Sequence, residues 1–346
     1  MIKKRVTSKM VAKKAGVSQT TVSFVLNKVE GQNISPETTG RVLKAARDLG
    51  YVPQAAAQSL AQGQSHHIGL VLLQPHYQVF QDPYIPNVMT GLGEIVRNQG
   101  FRLIVEHIDN LKDLHTIRNM LKSGEVAGLI LANFHWAEEI TAQLIQEEYP
   151  IVLLDATTNK KYPVVSINHV SGVTIAAQHI LSMGHERIAC ITYAPDDHLH
   201  AEKRLNVLRN ILEEGGITPD NLLVRHGQYD PDSAYKAMQS LLVTEPIPTV
   251  VFGMNDMMAL GAMRAILDAG LRIPEDIAVI GYDDMRFTKF VNPSLTTVRA
   301  QEIEQGRLGA EMLLNIINDE PLDFRQIELE PELIIRETCG YNLKHS

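Results

Sequence analysis

The chain has 346 residues, 45% of them hydrophobic, enough apolar side chains for more than one packed core and too many for a disordered chain. No apolar run approaches the roughly 18 residues of a membrane-spanning helix, and the basic start MIKKRVTSKMVAKKAG lacks the apolar stretch of a secretory signal, so a cytoplasmic address without a membrane partner is expected. The net charge of −8 is unevenly divided: ten bases face three acids over residues 1–66, a surplus of +7 that leaves the remainder at −15. A basic head on an acidic body is the pattern of a chain whose head alone meets a polyanion, although a solvated charged surface fits the charge equally well. Cys190 and Cys339 are the only cysteines and form no CxxC pair, which argues against a zinc or redox motif.

In chain order, Thr7 is expected to cap a first helix with Val11, Ala12 and Ala15 on its apolar stripe. Gly16 suits a tight turn, and Ser18 caps a second helix, QTTVSFVLN, whose inner face is Val22, Val25 and Leu26. Ser35-Pro36 opens a third helix that should bury Val42, Leu43, Ala46 and Leu49 and stop at Gly50. Helix, glycine-containing turn and serine-capped helix make a helix-turn-helix. Its second helix offers N-terminal side chains to the major groove, with Gln19, Thr20 and Phe24 pointing outward.

VAKKAGVSQTTVSFVLN resembles the N-terminal signature of LacI/GalR regulators, and GYVPQAAAQSLAQGQSHHIGLV resembles the hinge that follows it in that family. The resemblance implies a DNA-binding set of Thr7, Ser18, Gln19, Thr20, Thr21, Ser23, Phe24, Asn27, Tyr51, Gln54, Ala57 and Leu60. Within it Gln19, Thr20 and Phe24 would read bases of double-stranded operator DNA, and Leu60 would be a minor-groove wedge. The sequence departs from the family in the longer turn NKVEGQNIS, in Met10 where Asp is common and in Phe24 where Arg or His is common. Residues 1–52 are thus expected to form the helix-turn-helix domain and 53–66 the hinge helix and linker, a segment too short to be stable alone.

From residue 67 to 340 near-continuous apolar runs alternate with helical stretches, as in IGLVLL, GLILAN, PIVLLDA, RIACITYA, TVVFGMN and IAVIGYD. Such strands belong to buried parallel sheets. The fold class expected is an all-α helix-turn-helix domain followed by two doubly wound α/β lobes, similar to the type I periplasmic-binding-protein fold that the family shares. The N-lobe is expected at about 67–163 and 296–324 and the C-lobe at about 164–295 and 325–340, with three crossings near 163–166, 293–297 and 323–327.

Ligands of open parallel sheets collect beyond the carboxyl ends of the strands. Those ends carry a polar set that includes Asp155, Tyr193 and Asp256. The positions expected to bind effector are Tyr84, Phe134, Asn168, His198, His200, Arg204, Tyr229, Asn255 and Asp283, several of them by resemblance. Aromatic walls with amides, acids and one arginine suit a sugar or sugar derivative, or alternatively a nucleoside or purine. Asp256 reads equally well as the cap of the next helix. The His198-x-His200 pair has chelating spacing but no third ligand, so no metal and no cofactor is expected.

No GxSxG, HExxH, P-loop or strand-linked GxGxxG motif is present, so an enzyme is not expected. The body alone would fit a solute-binding protein, but the basic head and the missing signal segment argue against it. The expected function is a ligand-responsive transcriptional regulator, a repressor in the first instance, acting on a pseudo-palindromic operator. Because no heptad tail follows RETCGYNLKHS, a homodimer is the expected assembly.

Overall fold

The computed structural model describes residues 6–27, 31–52, 65–73, 84–108, 114–132, 144, 147–155, 162–194 and 199–340. They divide into two compact units, one built of the N-terminal residues to His67 with Asn119–Ala127, the other of Ile68–Arg118 and the chain from Gly128.

In the first unit lie helices α1 (Ser8–Ala15), α2 (Gln19–Leu26) and α3 (Pro36–Leu49). Their starts are set locally. Ser18 Oγ accepts a hydrogen bond from Thr21 N at 3.0 Å and Ser35 Oγ one from Thr38 N at 3.2 Å, each satisfying an amide that a helix start leaves open. Gly16 ends α1 in the left-handed region at φ 67°, which permits the abrupt turn into α2. Thr7 stands at the cap position of α1, but its side chain makes no cap bond; its backbone carbonyl accepts from Met10 N and Val11 N instead. Val11, Ala12, Ala15, Val22, Val25, Val42, Ala45 and Ala46 form the core. Leu43, expected within it, is 42% exposed. One residue after Val42 it points about 100° away around α3, and the 3–4 spacing gives its place to Ala45.

The second unit is built on two six-stranded sheets. From His67 on, the strands and helices in chain order are β1 (His67–Leu73), α4 (Tyr84–Asn98), β2 (Arg102–Ile108), α5 (Leu114–Lys122), β3 (Gly128–Ala132), β4 (Ile151–Leu154) and β5 (Val164–Ile167), of which His67 and the end of α5 from Asn119 fall in the first unit. There follow α6 (His169–Ser182), β6 (Ile188–Thr192), α7 (Leu199–Glu214), β7 (Leu222–His226), α8 (Pro231–Leu242), β8 (Val250–Gly253), α9 (Asp256–Asp268) and β9 (Ala278–Tyr282). β10 (Thr296–Arg299), α10 (Glu302–Ile317), β11 (Gln326–Leu329) and β12 (Glu332–Ile334) complete it. The first sheet has the order β11-β5-β4-β3-β1-β2 and the second β12-β10-β9-β8-β6-β7. Pairing is parallel from β11 to β1 and from β10 to β7, and β12 is antiparallel to β10. β1, β3, β4, β6, β8 and β9 are almost wholly buried, which is why they read as unbroken apolar runs rather than alternating ones.

The crossings lie later in the chain than the apolar pattern suggested. β5 and β11, expected in the C-lobe, pair with each other in the first sheet, and β10, expected in the N-lobe, pairs with β9 in the second. The chain therefore crosses at 168, at 300–301 and at 330–331. Each short strand completes the sheet it leaves before crossing, and sheet membership is a long-range property that a four-residue apolar run does not carry. α10 packs on α4 through two glycines: a Cβ on Gly91 would meet the Ile303 carbonyl, and one on Gly306 the Val88 carbonyl. Backbones that close admit no larger side chain.

Candidate functional site

In the first unit the exposed face of α2 carries Gln19 and Thr20, with its cap Ser18 exposed beside them. Thr21, Ser23 and Phe24 are half-buried, so Phe24 offers an edge rather than a fully projecting ring. Asn27 turns back on its own helix, where Nδ2 donates to Ser23 Oγ at 3.1 Å. Tyr51 packs partly against the three-helix core, and Thr7 is exposed. Lys9, Lys13, Lys14, Arg41, Lys44 and Arg47 are all exposed. Lys14 is tied to Asp48 at 3.0 Å. This unit thus combines surface cations with a helix N-terminus bearing polar side chains, the chemistry that holds phosphate and reads base edges. Gln54, Ala57 and Leu60 lie outside the described residues.

In the second unit a polar cluster gathers around Arg204 on α7. Its guanidinium carbon sits 4.8 Å from the ring centre of Tyr282 and 5.3 Å from that of Tyr193, in cation–π geometry with both. Nη2 lies 3.0 Å from Nδ1 of His169, the first residue of α6. The Tyr282 hydroxyl is 2.9 Å from the same nitrogen, and Asp155 Oδ2 is 3.9 Å from His169 Nε2. Nη2 is also 3.1 Å from Nε2 of the same ring, so the guanidinium lies over the imidazole face, and a proton on Nε2, facing Asp155, leaves the Nδ1 lone pair to the Tyr282 hydroxyl.

Asp155 is fixed where β4 ends. At φ 50° it leaves the sheet, and its Oδ1 accepts from Ile167 N at 2.8 Å. Burial alone would raise its pKa, but the bond and charge of His169 and the Ile167 amide outweigh that and hold it at about 2. His169 is lowered by burial first and by Arg204 second, against the pull of Asp155, so the fold favours its neutral form. Arg204 is raised despite its burial, because Tyr193, Tyr282, Asp283 and Asp155 surround it. The site therefore holds one permanent cation with carboxylates close by.

Among the other expected effector residues, Tyr229 is buried, its ring 5.7 Å from that of Tyr193, and its backbone takes φ 61° while donating to the Tyr193 carbonyl at 2.8 Å. Asp283 has φ 106°, is half-buried and contributes to the field on Arg204. Arg204, Tyr229 and Asp283 thus belong to one neighbourhood. Tyr84 opens α4 in the first lobe and is half-buried. Asn168 caps α6 through Ser171 N and donates to Glu330, while Asn255 caps α9 through Met258 N. Phe134 and His198 lie outside the described residues, as does the side chain of His200. Asp256 is not the cap of α9. It is fully buried, accepting from Thr297 Oγ1 at 2.6 Å and Met285 N at 2.7 Å. Burial pushes the Asp256 carboxyl upward, and that of Glu302 likewise.

Two members of the cluster, His169 and Tyr282, escape a reading of the sequence. His169 directly follows Asn168, and Tyr282 directly precedes Asp283, so each was one position from a residue already singled out.

Residues 7–54 match the model of the lacI family of bacterial regulatory proteins, and residues 177–339 that of the periplasmic binding protein-like domain. The HTH-type transcriptional repressor PurR of Haemophilus influenzae is 32% identical over 339 residues, 96% of this chain and 98% of that protein. The HTH-type transcriptional regulator CelR of Thermobifida fusca is 30% identical, over 97% and 99% of the two chains. Among solved structures, the lac repressor dimer bound to operator and the anti-inducer ONPF aligns with a TM-score of 0.82 at 28% identity, over 97% and 99% of the two chains. A complex of the regulator CelR with cellobiose aligns at 0.69 and 30% identity, over 96% and 100%. With both domains of the pattern present and near full-length relatives on both sides, this chain belongs to the lacI family of bacterial transcriptional regulators.

Proposed function

We propose that this protein is a repressor that binds a pseudo-palindromic operator as a homodimer and is controlled by a neutral, polyhydroxylated effector, a sugar or sugar derivative, held around Arg204. The observation that carries the effector reading is the Arg204 guanidinium laid on Tyr193 and Tyr282 with Asp155 and Asp283 nearby. An arginine so compensated has little surplus charge for a phosphate among the described residues. It has planar donors and the nearby Asp155 has acceptors, the groups that hydrogen-bond hydroxyls. Tyr282 is fully buried beneath the guanidinium, and the half-buried Tyr193 is the tyrosine left to meet the C–H face of a sugar ring. The cellobiose complex of the related CelR supports the same class.

Tyr84, Asn168, Tyr229, Asn255 and Asp283 are proposed as further effector contacts, joined by His169. On the DNA side, Gln19 and Thr20 read base edges, Ser18 and Thr21 contact phosphate, and Leu60 enters the minor groove. A regulator of this kind performs no chemistry on its effector. Binding alters operator affinity only because the two lobe arrangements bind effector unequally. Operator titrations at fixed salt, with and without cellobiose, other neutral sugars and their phosphates, test the proposal. A change in operator affinity with neutral sugars and none with the phosphates is expected. A response confined to the phosphates would refute the charge argument.

A further inference from the structure

The two lobes of the second unit are joined by three crossings, at 168, 300–301 and 330–331. One residue touches the other two. Glu330, on the third crossing, accepts a hydrogen bond at Oε1 from Asn168 Nδ2 at 2.9 Å, on the first. Its backbone carbonyl accepts one from Gln301 Nε2, on the second. Next to it the Leu329 carbonyl accepts from Asn168 N at 2.9 Å.

Neither partner is there by default. Asn168 uses Oδ1 to cap α6 through Ser171 N at 3.0 Å, which leaves its Nδ2 directed at Glu330. Gln301 stands at the start of α10 at φ 67°, a backbone that residues other than glycine seldom adopt, and its side chain caps nothing in its own helix. A strained residue whose side chain serves the neighbouring crossing points to a constraint held at the hinge itself. Pro331 then seats this crossing on α6, where a Cβ on Gly172 would come within 3.1 Å of its Cγ.

A rigid rotation of one lobe on the other is taken up by backbone angles at these crossings. Bonds between the crossings are therefore made or broken by that rotation and bias it by whatever they differ in the two arrangements. Glu330 is exposed, so its tie to Asn168 competes with water and stays weak enough to be broken. We propose that Glu330 is a staple across the three crossings, and that this staple sets the balance between the lobe arrangements.

The test needs no effector. Cysteines are introduced by Gln99→Cys in the first lobe and Val243→Cys in the second, both exposed positions, whereas the native Cys190 and Cys339 are buried and do not label. Spin labels then report the inter-lobe distance distribution, with labelled chain diluted into unlabelled chain so that each dimer carries one pair. N168D keeps the capping oxygen of α6 but turns the donor into a carboxylate facing Glu330. It is expected to shift the ratio of the two arrangements by roughly three- to tenfold, the weight of one such bond. Adding E330Q supplies an amide donor to the new carboxylate and is expected to restore the parental distribution. E330A, which touches no helix cap, is expected to shift the distribution in the same direction as N168D. A parental distribution in E330A overturns the proposal, and so does an N168D shift that E330Q fails to reverse, since the cap would then be its cause.

Discussion

The guanidinium of Arg204 lies 3.0 Å from the imidazole Nδ1 of His169, although one side chain comes from the second turn of α7 and the other from the first residue of α6. That approach favours a neutral imidazole, so Arg204 is a donor for a ligand and, after burial, the second cause that holds its neighbour's pKa down. R204A is therefore expected to weaken effector binding by about ten- to a hundredfold, the weight of charge-assisted hydrogen bonds. Basal operator affinity should stay within about twofold, because Arg204 lies in the second unit and the DNA-reading helix in the first. Operator release as a function of effector concentration, parent against R204A, checks both parts.

His169 also makes acid stability predictable. Burial and then Arg204 depress its pKa below 6.5, so the fold favours the neutral ring. Its contribution is complete above pH 6.5 and is lost as the pH falls below that value. Asp155, held at about 2 against an ordinary 3.8, contributes fully above pH 3.8 and loses its share only as the pH falls toward 2. Chemical denaturation at a series of pH values should show a decline beginning below 6.5. H169Q should make that decline shallower without abolishing it, since burial lowers His179 in the same direction. In R204A the His169 resonance should titrate at a higher pH than in the parent, which histidine NMR reads directly; an unchanged midpoint would show that the guanidinium does not act on the ring.

The DNA-reading unit should separate base contact from scaffold. Q19A removes an exposed amide from the first turn of α2 and is expected to cost about 1–3 kcal/mol at one operator position while leaving the salt dependence unchanged. S18A removes the cap bond to Thr21 N and should cost about 1 kcal/mol of helix stability, lowering affinity for every sequence alike. Competition titrations against operators altered one base pair at a time distinguish the two patterns.

Packing of α4 on α10 supplies a control on the first lobe. G306V places a side chain against the Val88 carbonyl and is expected to destabilise the second unit by about 1–3 kcal/mol or more, because neither backbone can retreat. Thermal unfolding should show it as a lowered Tm.

The helix-turn-helix was legible because its determinants are local. Ser18, Ser35, Gly16 and Gly50 set where helices begin and end within a few residues of themselves, and the structure uses them so. Thr7 shows the limit: the right residue stands at the cap position, yet only its backbone carbonyl takes part. The sheets were legible as buried apolar runs, but which sheet β5, β10 and β11 join depends on partners as distant as 162 residues in sequence, as between Val164 and Gln326. Separation in sequence also hid the Arg204–His169–Asp155 cluster, whose members are ordinary polar residues after a strand, at the start of one helix and in the second turn of another. Glu330 was invisible for another reason, since a single exposed glutamate gains meaning only when three crossings converge on it.

Melting temperatures of parent and R204A proteins, recorded side by side with cellobiose, other neutral sugars, sugar phosphates, nucleosides and purines, address the effector site without intermediaries. A ligand that binds only the folded state raises Tm by mass action. The expected result is an upward shift of the parent by one neutral sugar class, absent in R204A at the same concentration. A parent that responds to none of them, or an R204A variant that responds as strongly as the parent, would contradict the assignment of the Arg204 cluster as the effector site.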